Sequence, residues 1–155
     1  MQSKRMIIRE AKLSDSKLYY KWANDQVVRQ MAFHSEPIPW ESHSKWFENK
    51  ILSEKSHLML CYTGETPVGQ VRFDEVEIGV YEIDISVDSN QRSKGCGREM
   101  LKAAIDYVHE KYQINCFIAE VKAENIPSQK MFVAVGFVLQ KIENSVNYFK
   151  LQLAR

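Results

Sequence analysis

Two groups of residues in this chain have the types and spacing to do chemistry. The first is Val87-Asp88-Ser89-Asn90-Gln91-Arg92-Ser93-Lys94-Gly95-Cys96-Gly97-Arg98, whose core reads R-x-x-G-x-G and which joins an alternating apolar segment to a long helical pattern. Such a loop is an anion cradle. Gly95 and Gly97 admit backbone conformations closed to other residues and let a ligand come close. The first N–H groups of the following helix have no partner within it, and both they and the positive end of the helix dipole favour phosphate. Arg92, Lys94 and Arg98 add positive charge around it. The loop matches neither G-x-x-x-x-G-K-[ST] of nucleoside triphosphate sites nor the dinucleotide pattern G-x-G-x-x-G with an acid about 20 positions on. Taken alone, its G-x-G is equally a tight turn.

The second group is acidic. Tyr81, Ile83, Ile85 and Val87 alternate with Glu82, Asp84 and Ser86, which puts two carboxylates on one face of a strand. Glu120 interrupts the apolar run Ile118-Ala119-Glu120-Val121. An acid inside a sheet needs a partner or a purpose. Each of the three is a candidate general base, and each can equally face solvent or pair with Arg72 or Lys122. Cys96 is the one candidate nucleophile, and it sits in the anion loop. No His, Cys and Asp cluster has metal-ligand spacing, so no metal is expected.

The elements that must position these groups follow from periodicity and punctuation. Residues 5–9 read as a strand, and Ser14 is a plausible N-cap for a helix over 15–22 whose Leu18, Tyr19 and Trp22 share a face. An irregular loop over 31–39 precedes a second helix over 40–51. Residues 57–62 and 68–73 form a hairpin through Thr63-Gly64-Glu65-Thr66-Pro67, and 81–87 is the alternating strand. A helix over 97–112 buries Met100, Leu101, Ala104, Ile105 and Val108. A strand over 116–121, a short helix over 126–134 with Pro127 in its first turn and Gly136 at its end, and strands over 137–142 and 146–153 complete the chain. The order predicts an α/β (α+β) fold: a mixed, mostly antiparallel sheet of about seven strands with helices on both faces.

At 155 residues and 45% hydrophobic composition the chain reads as one domain, residues 1–155. The balance of 21 basic against 20 acidic residues speaks against a polyanion partner, so no nucleic acid is expected. Cys61, Cys96 and Cys116 are widely spaced and read as free thiols. No segment reads as a membrane span or leader. These features predict a cytoplasmic protein that is a monomer or homodimer and binds a small molecule.

Strand, [Q/R]-x-x-G-x-[G/A] loop and amphipathic helix, then a strand, an Asn-led short helix and a Gly-Phe strand, resemble the GNAT superfamily of acyltransferases over almost the whole chain. The resemblance implies an N-acetyltransferase that moves acetyl from acetyl-CoA to a primary amine by direct attack. It assigns the CoA pyrophosphate to the backbone of Arg92, Ser93, Lys94, Gly95, Cys96 and Gly97 with Arg98 beside it. The pantetheine arm and the oxyanion go to the backbone at Val87. The stretch from Ala123 to Phe137 is similar to the family's second cofactor segment, which assigns the pantetheine amides to Asn125 and the CoA phosphates' surroundings to Ser128. Asn125 is also a natural helix N-cap. The chain departs from the family at Phe132, where a Tyr often protonates the leaving thiolate. A thiol of ordinary acidity, pKa about 8.5, leaves tolerably without that help. The run from Lys21 to Met31, with Glu41-Ser42-His43-Ser44-Lys45-Trp46-Phe47, resembles a subgroup that acetylates nucleotide-linked amino-deoxysugars, as in pseudaminic acid biosynthesis. Similar patterns occur in acetyltransferases of ribosomal protein N-termini and of spermidine. On that resemblance Trp22, Asn24, Arg29, His34, His43 and Trp46 are candidate acceptor contacts, although tryptophans at helical spacing are more often core. A non-catalytic acyl-CoA-binding module is the alternative from a different class.

Overall fold

A computed structural model describes residues 5–92 and 94–154. The chain forms the expected mixed sheet of seven strands: β1 (Met6–Glu10), β2 (Ser56–Thr63), β3 (Thr66–Glu77), β4 (Val80–Val87), β5 (Cys116–Lys122), β6 (Val138–Glu143) and β7 (Val146–Gln152). They lie in the order β1-β2-β3-β4-β5-β7-β6. Every neighbouring pair is antiparallel except β4 with β5.

The strand pattern decides what covers each face. In β2, Met59 and Cys61 point to one side and Leu58 and Leu60 to the other, and all four are buried, so both faces must be roofed. The α4 helix (Cys96–Tyr112) lays its predicted apolar stripe on the first side, together with α5 (Ile126–Val135), over Val71, Phe73, Phe117 and Phe149. On the second side Tyr19 and Trp22 of α1 (Ser16–Ala23) and Phe47 of α3 (Trp40–Leu52) pack on Leu58 and Leu60. Among the described residues no helix is long and apolar enough to cross a membrane.

Three local features differ from the sequence expectation. Ser14 is not the cap of α1: a 3-10 turn over Leu13–Asp15 leads into the helix, and the Asp15 carboxylate, held by Arg9 at 3.0 Å, accepts from the Lys12 N–H at 2.7 Å. A short helix α2 (Gln26–Met31) precedes the 31–39 loop, capped by the Asp25 side chain, which accepts from Val27 and Val28 N–H. The β3 strand runs on through polar residues to Glu77, because antiparallel partners in β2 and β4 supply hydrogen bonds that apolar patterning does not register.

Two contacts fix β4 and the loop after it. Gly69 of β3 sits opposite Val87, where an added Cβ would lie 2.3 Å from the Ser86 carbonyl oxygen and 2.5 Å from Cε of Met100. Only a glycine lets α4 settle this close to the sheet. The loop itself is tied at its first residue. Asp88 is 6% exposed, its N–H donates to Val68 O at 2.8 Å, and its carboxylate accepts from the Trp22 indole at 2.8 Å and from Asn90 N–H at 2.9 Å. Burial alone would raise the Asp88 carboxyl, but these bonds, with Lys21 and Arg92 nearby, hold it below the usual carboxylate range.

Two stability predictions follow from these contacts. Gly69→Ala lowers unfolding free energy by about 1–3 kcal/mol, since backbone and a packed Met must both shift, measured as a lower urea midpoint with unchanged slope. Trp22→Phe removes a donor from a buried carboxylate and leaves part of the indole's space unfilled, which together cost about 1–3 kcal/mol. Raising the pH from 3 to 7 restores none of that loss, because the Asp88 charge that the indole serves is present only above its own depressed pKa.

Candidate active site

The parallel pairing of β4 with β5 covers only Val80–Glu82 against Cys116–Ile118, although β4 continues to Val87 and β5 to Lys122. Beyond Glu82 the two strands diverge into a wedge in the middle of the sheet. The Asp88 N–H bonds across to β3, so strand alternation sends the N–H and C=O groups of Ile85 and Val87 the other way, into the wedge. Main-chain groups of this kind need a partner. An extended ligand carrying amides can supply one, as an added strand would.

At the wedge's open end lie the loop and the start of α4. Gly95 caps α4 in a left-handed conformation, φ 76°, with no side-chain cap bond, and an added Cβ there would meet nothing within 4 Å. The cradle is therefore open above its glycine, and among the described residues no side chain caps the first N–H groups of α4. Gly97 serves packing: an added Cβ would press to 3.0 Å from Sδ of Met131 on α5. Lys94 and Arg98 are exposed, whereas Arg92 is engaged in an ion pair with Asp25, the cap of α2. Cys96 is partly buried, and Ser93 lies outside the described residues. A helix start with no side-chain cap among the described residues, an open glycine and two exposed cations fit a CoA pyrophosphate.

Across the wedge, Asn125 caps α5, its side chain accepting from Ser128 N–H at 3.3 Å. Phe132 is 3% exposed, edge-on to Phe137 at 5.0 Å and stacked on Phe149 at 6.1 Å. It packs as core and has no proton to give.

The register aligns polar groups of three strands on the face roofed by α1 and α3. Gln70, Arg72 and Asp74 of β3 stand opposite Ser86, Asp84 and Glu82 of β4, and Glu82 stands opposite Ile118, two residues before Glu120. Asp84 accepts from Gln70 Nε2 at 2.9 Å and lies 3.6 Å from Arg72 Nη1. Asp74 takes Arg72 Nε at 2.7 Å, Lys50 Nζ at 2.8 Å and Ser56 Oγ at 2.7 Å. Burial alone would raise the Asp74 carboxyl, but Arg72 and the bonds from Lys50 and Ser56 bring it below the usual range. Among the described residues Glu82 has no hydrogen-bond or ion-pair partner. Burial, then the charges of Glu120 and Asp74, push it above the ordinary carboxylate range. Glu120 is exposed on the same face.

The structure gives the N-terminal candidates mostly internal partners. Trp22 and His43 are each 2% exposed; the indole serves Asp88, and the His43 ring bonds Ser16 O at 2.9 Å, its pKa lowered by burial. Neither has an accessible face for an acceptor. Asn24, at the end of α1, ties down the loop before α3 by accepting from Ile38 N–H at 2.7 Å and donating to Ile38 O at 2.9 Å. Arg29 donates to His34 O at 2.9 Å, which shapes the 31–39 loop, and His34 itself is exposed. Trp46 lies under the Arg72 guanidinium, 4.8 Å from its ring centroid. Sequence reasoning missed Asp88, Gln70 and Phe33. The Phe33 ring is 54% exposed, with Lys122 Nζ 6.0 Å from its centroid, and both line a surface cleft with Glu124, Asn144 and Val146. An acid directly after a strand that alternates cleanly was the one available signal for Asp88. Among the described residues no three His, Cys, Asp or Glu side chains converge on a metal position.

The sequence matches the Acetyltransferase (GNAT) domain family over residues 5–138. It is 26% identical over 138 residues to YnaD, an uncharacterized N-acetyltransferase of Bacillus subtilis (strain 168), covering 86% of this chain and 79% of that protein. The fold superposes on spermidine N-acetyltransferase from Vibrio cholerae in complex with CoA and spermine, with TM-score 0.85 and 16% identity over 96% of this chain and 95% of that one. It is similar too to yncA, a putative acetyltransferase from Salmonella typhimurium with its cofactor acetyl-CoA, with TM-score 0.79 and 17% identity over 97% and 95% of the two chains. With a family match across most of its length, a strand pair that opens as described and a left-handed glycine as the N-cap of α4, the chain belongs to the GNAT acetyltransferases, enzymes that take acetyl from acetyl-CoA.

Proposed function

We propose that this enzyme acetylates the amine of a nucleotide-linked amino-deoxysugar. The supporting observation is an exposed aromatic ring with a lysine beside it, Phe33 and Lys122, on the strand face that carries Glu120. Lys122 lies two residues beyond Glu120, on the same side of β5. An acceptor lying along this face has its amine near the carboxylates and its far end near a cation and an exposed ring. A phosphate and a base suit that end through charge and stacking. A polyamine, whose second ammonium would meet Lys122, suits it less. The acids favour an ammonium in any acceptor, and the V. cholerae relative was solved with spermine, so spermidine is the competing substrate to test.

In this reading acetyl-CoA lies in the wedge, its pyrophosphate over Gly95 and its amides on the main chain of Ile85 and Val87. Glu82 lies five residues before Val87 on β4, on the order of 16 Å along the strand, so it takes the acceptor's proton through intervening water, and the freed amine attacks the thioester carbonyl. The Val87 N–H donates to the oxyanion, the C–S bond breaks, and the thiolate leaves with its electron pair. No side-chain acid at Phe132 assists. Asn125 and Ser128 border the same wedge from α5, and Lys94 and Arg98 flank the phosphates.

A base must be ionised to act, so kcat/KM rises with pH through the raised pKa of Glu82, at a position above the ordinary carboxylate range. Glu82→Gln is expected to lower kcat by about 10²–10³ and to remove that acid limb; an unchanged limb assigns the proton elsewhere. Free-thiol release from acetyl-CoA, measured with a UDP-linked 4-amino-deoxysugar, spermidine and a short peptide, tests the acceptor. The sugar nucleotide is expected to turn over best, and Lys122→Glu to raise its KM about tenfold or more while leaving the KM of acetyl-CoA unchanged. Preferred turnover of spermidine, or indifference to Lys122→Glu, overturns the assignment.

A further inference from the structure

We infer that Arg72 is a positioning residue for the transfer, dividing two carboxylates of one strand face: it fixes Asp84 as the anionic seat for the acceptor and leaves Glu82 unpartnered to move the proton. The inference rests on the reading of Glu82 as the base and deepens it. By sequence spacing Glu82 and Asp84 are equivalent, and their surroundings make them different. Arg72 stands directly opposite Asp84, and its guanidinium reaches Asp84 at 3.6 Å and Asp74 at 2.7 Å. Trp46 lies against the guanidinium face at 4.8 Å, which restricts the side chain to this position. Gln70, 4% exposed, adds its amide donor to the same Asp84 oxygen at 2.9 Å and to Ser86 Oγ at 3.1 Å.

The result is a continuous chain across the sheet, from Lys50 of α3 through Asp74, Arg72, Asp84 and Gln70 to Ser86, the residue before Val87. Asp84 occupies the one place in this chain where a carboxylate is both partnered and open, its side chain 51% exposed. A charged carboxylate held in that way can receive an ammonium without moving. Glu82 stands opposite Asp74, whose oxygens are already taken by Lys50, Ser56 and Arg72. The charged groups facing Glu82 are Asp74 and Arg72 on β3, Asp84 on its own strand, Glu120 on β5, Lys150 on β7 opposite Ile118, and Lys50 behind Asp74. Arg72 opposes the rise that burial and the acids impose on Glu82, while Asp84 adds to it.

Carbon-13 titration of the side-chain carboxyls tests this without depending on turnover. In Arg72→Met the Glu82 midpoint is expected to rise by about one pH unit, because the nearby cation is gone; in Asp84→Asn it falls, because a neighbouring anion is gone. Arg72→Lys returns the Glu82 midpoint toward the wild-type value without restoring the fixed Asp84. In the rate assay, Asp84→Asn and Arg72→Lys raise KM for the amine while the acetyl-CoA dissociation constant stays constant. A Glu82 midpoint that stays in place in Arg72→Met, with the amide spectrum of the folded protein retained, overturns the inference. If Arg72→Met fails to fold, the opposite-signed shift in Asp84→Asn and the KM of Arg72→Lys decide it. The underlying base assignment fails separately, when Glu82→Gln leaves the acid limb of the rate profile intact.

Discussion

The site depends on a parallel strand pair that stops pairing after three residues. Within a sheet, the cheapest fate of a main-chain N–H or C=O is a bond to the next strand. Here β4 and β5 give that up beyond Glu82 and Ile118, and the open edge of Ile85 and Val87 needs a ligand or water to satisfy it. Everything nearby holds the gap open. On one side β4 is locked to β3 along its length and pressed by α4 through the Gly69 contact; on the other, β5 is locked to β7 over all seven of its residues. Two well-paired half-sheets meet at a short seam, and neither side can collapse into the wedge without breaking its own ladder.

The same geometry sets the electrostatics. Because β4 alternates strictly, its apolar side chains enter the α4 core and its polar ones emerge on the opposite face, next to the polar residues of β3. Tertiary structure supplies what alternation cannot, a direct cation partner at Asp84 and only a more distant cation at Glu82. Arg72, sandwiched by Trp46 and two aspartates, and Gln70 sort equivalent acids into a partnered Asp84 and a Glu82 with no partner among the described residues. The loop is likewise held from outside itself. Trp22 reaches it through Asp88, and Asp25 reaches it through Arg92, so the N-terminal helices also anchor the loop.

The elements were legible in the chain because their signals are local. A 3.6-residue apolar stripe, a two-residue alternation, Pro127 at a helix start and Gly136 at its end act over a few residues, and those elements formed within one or two positions of expectation. Short α2 was not foreseen, since six residues carry too little periodicity and only its Asp25 cap marks it. The boundary of β3 ran long because pairing on both sides can hold polar residues in a strand.

By itself the sequence determined the order of elements, the glycine loop at a strand-to-helix junction and the placing of Glu82 and Asp84 on one face, all consequences of spacing along the chain. Only the tertiary structure decided which aromatic side chains are buried, which cations are already paired, and that Asp84 is the partnered acid of the pair on β4. Trp22 and His43 have the composition of a binding surface and the surroundings of a core; Arg92 reads as a phosphate ligand and is paired with Asp25. Burial and ion pairing depend on neighbours far along the chain, 66 residues between Trp22 and Asp88 and 67 between Arg92 and Asp25, and no local pattern encodes a partner at that distance.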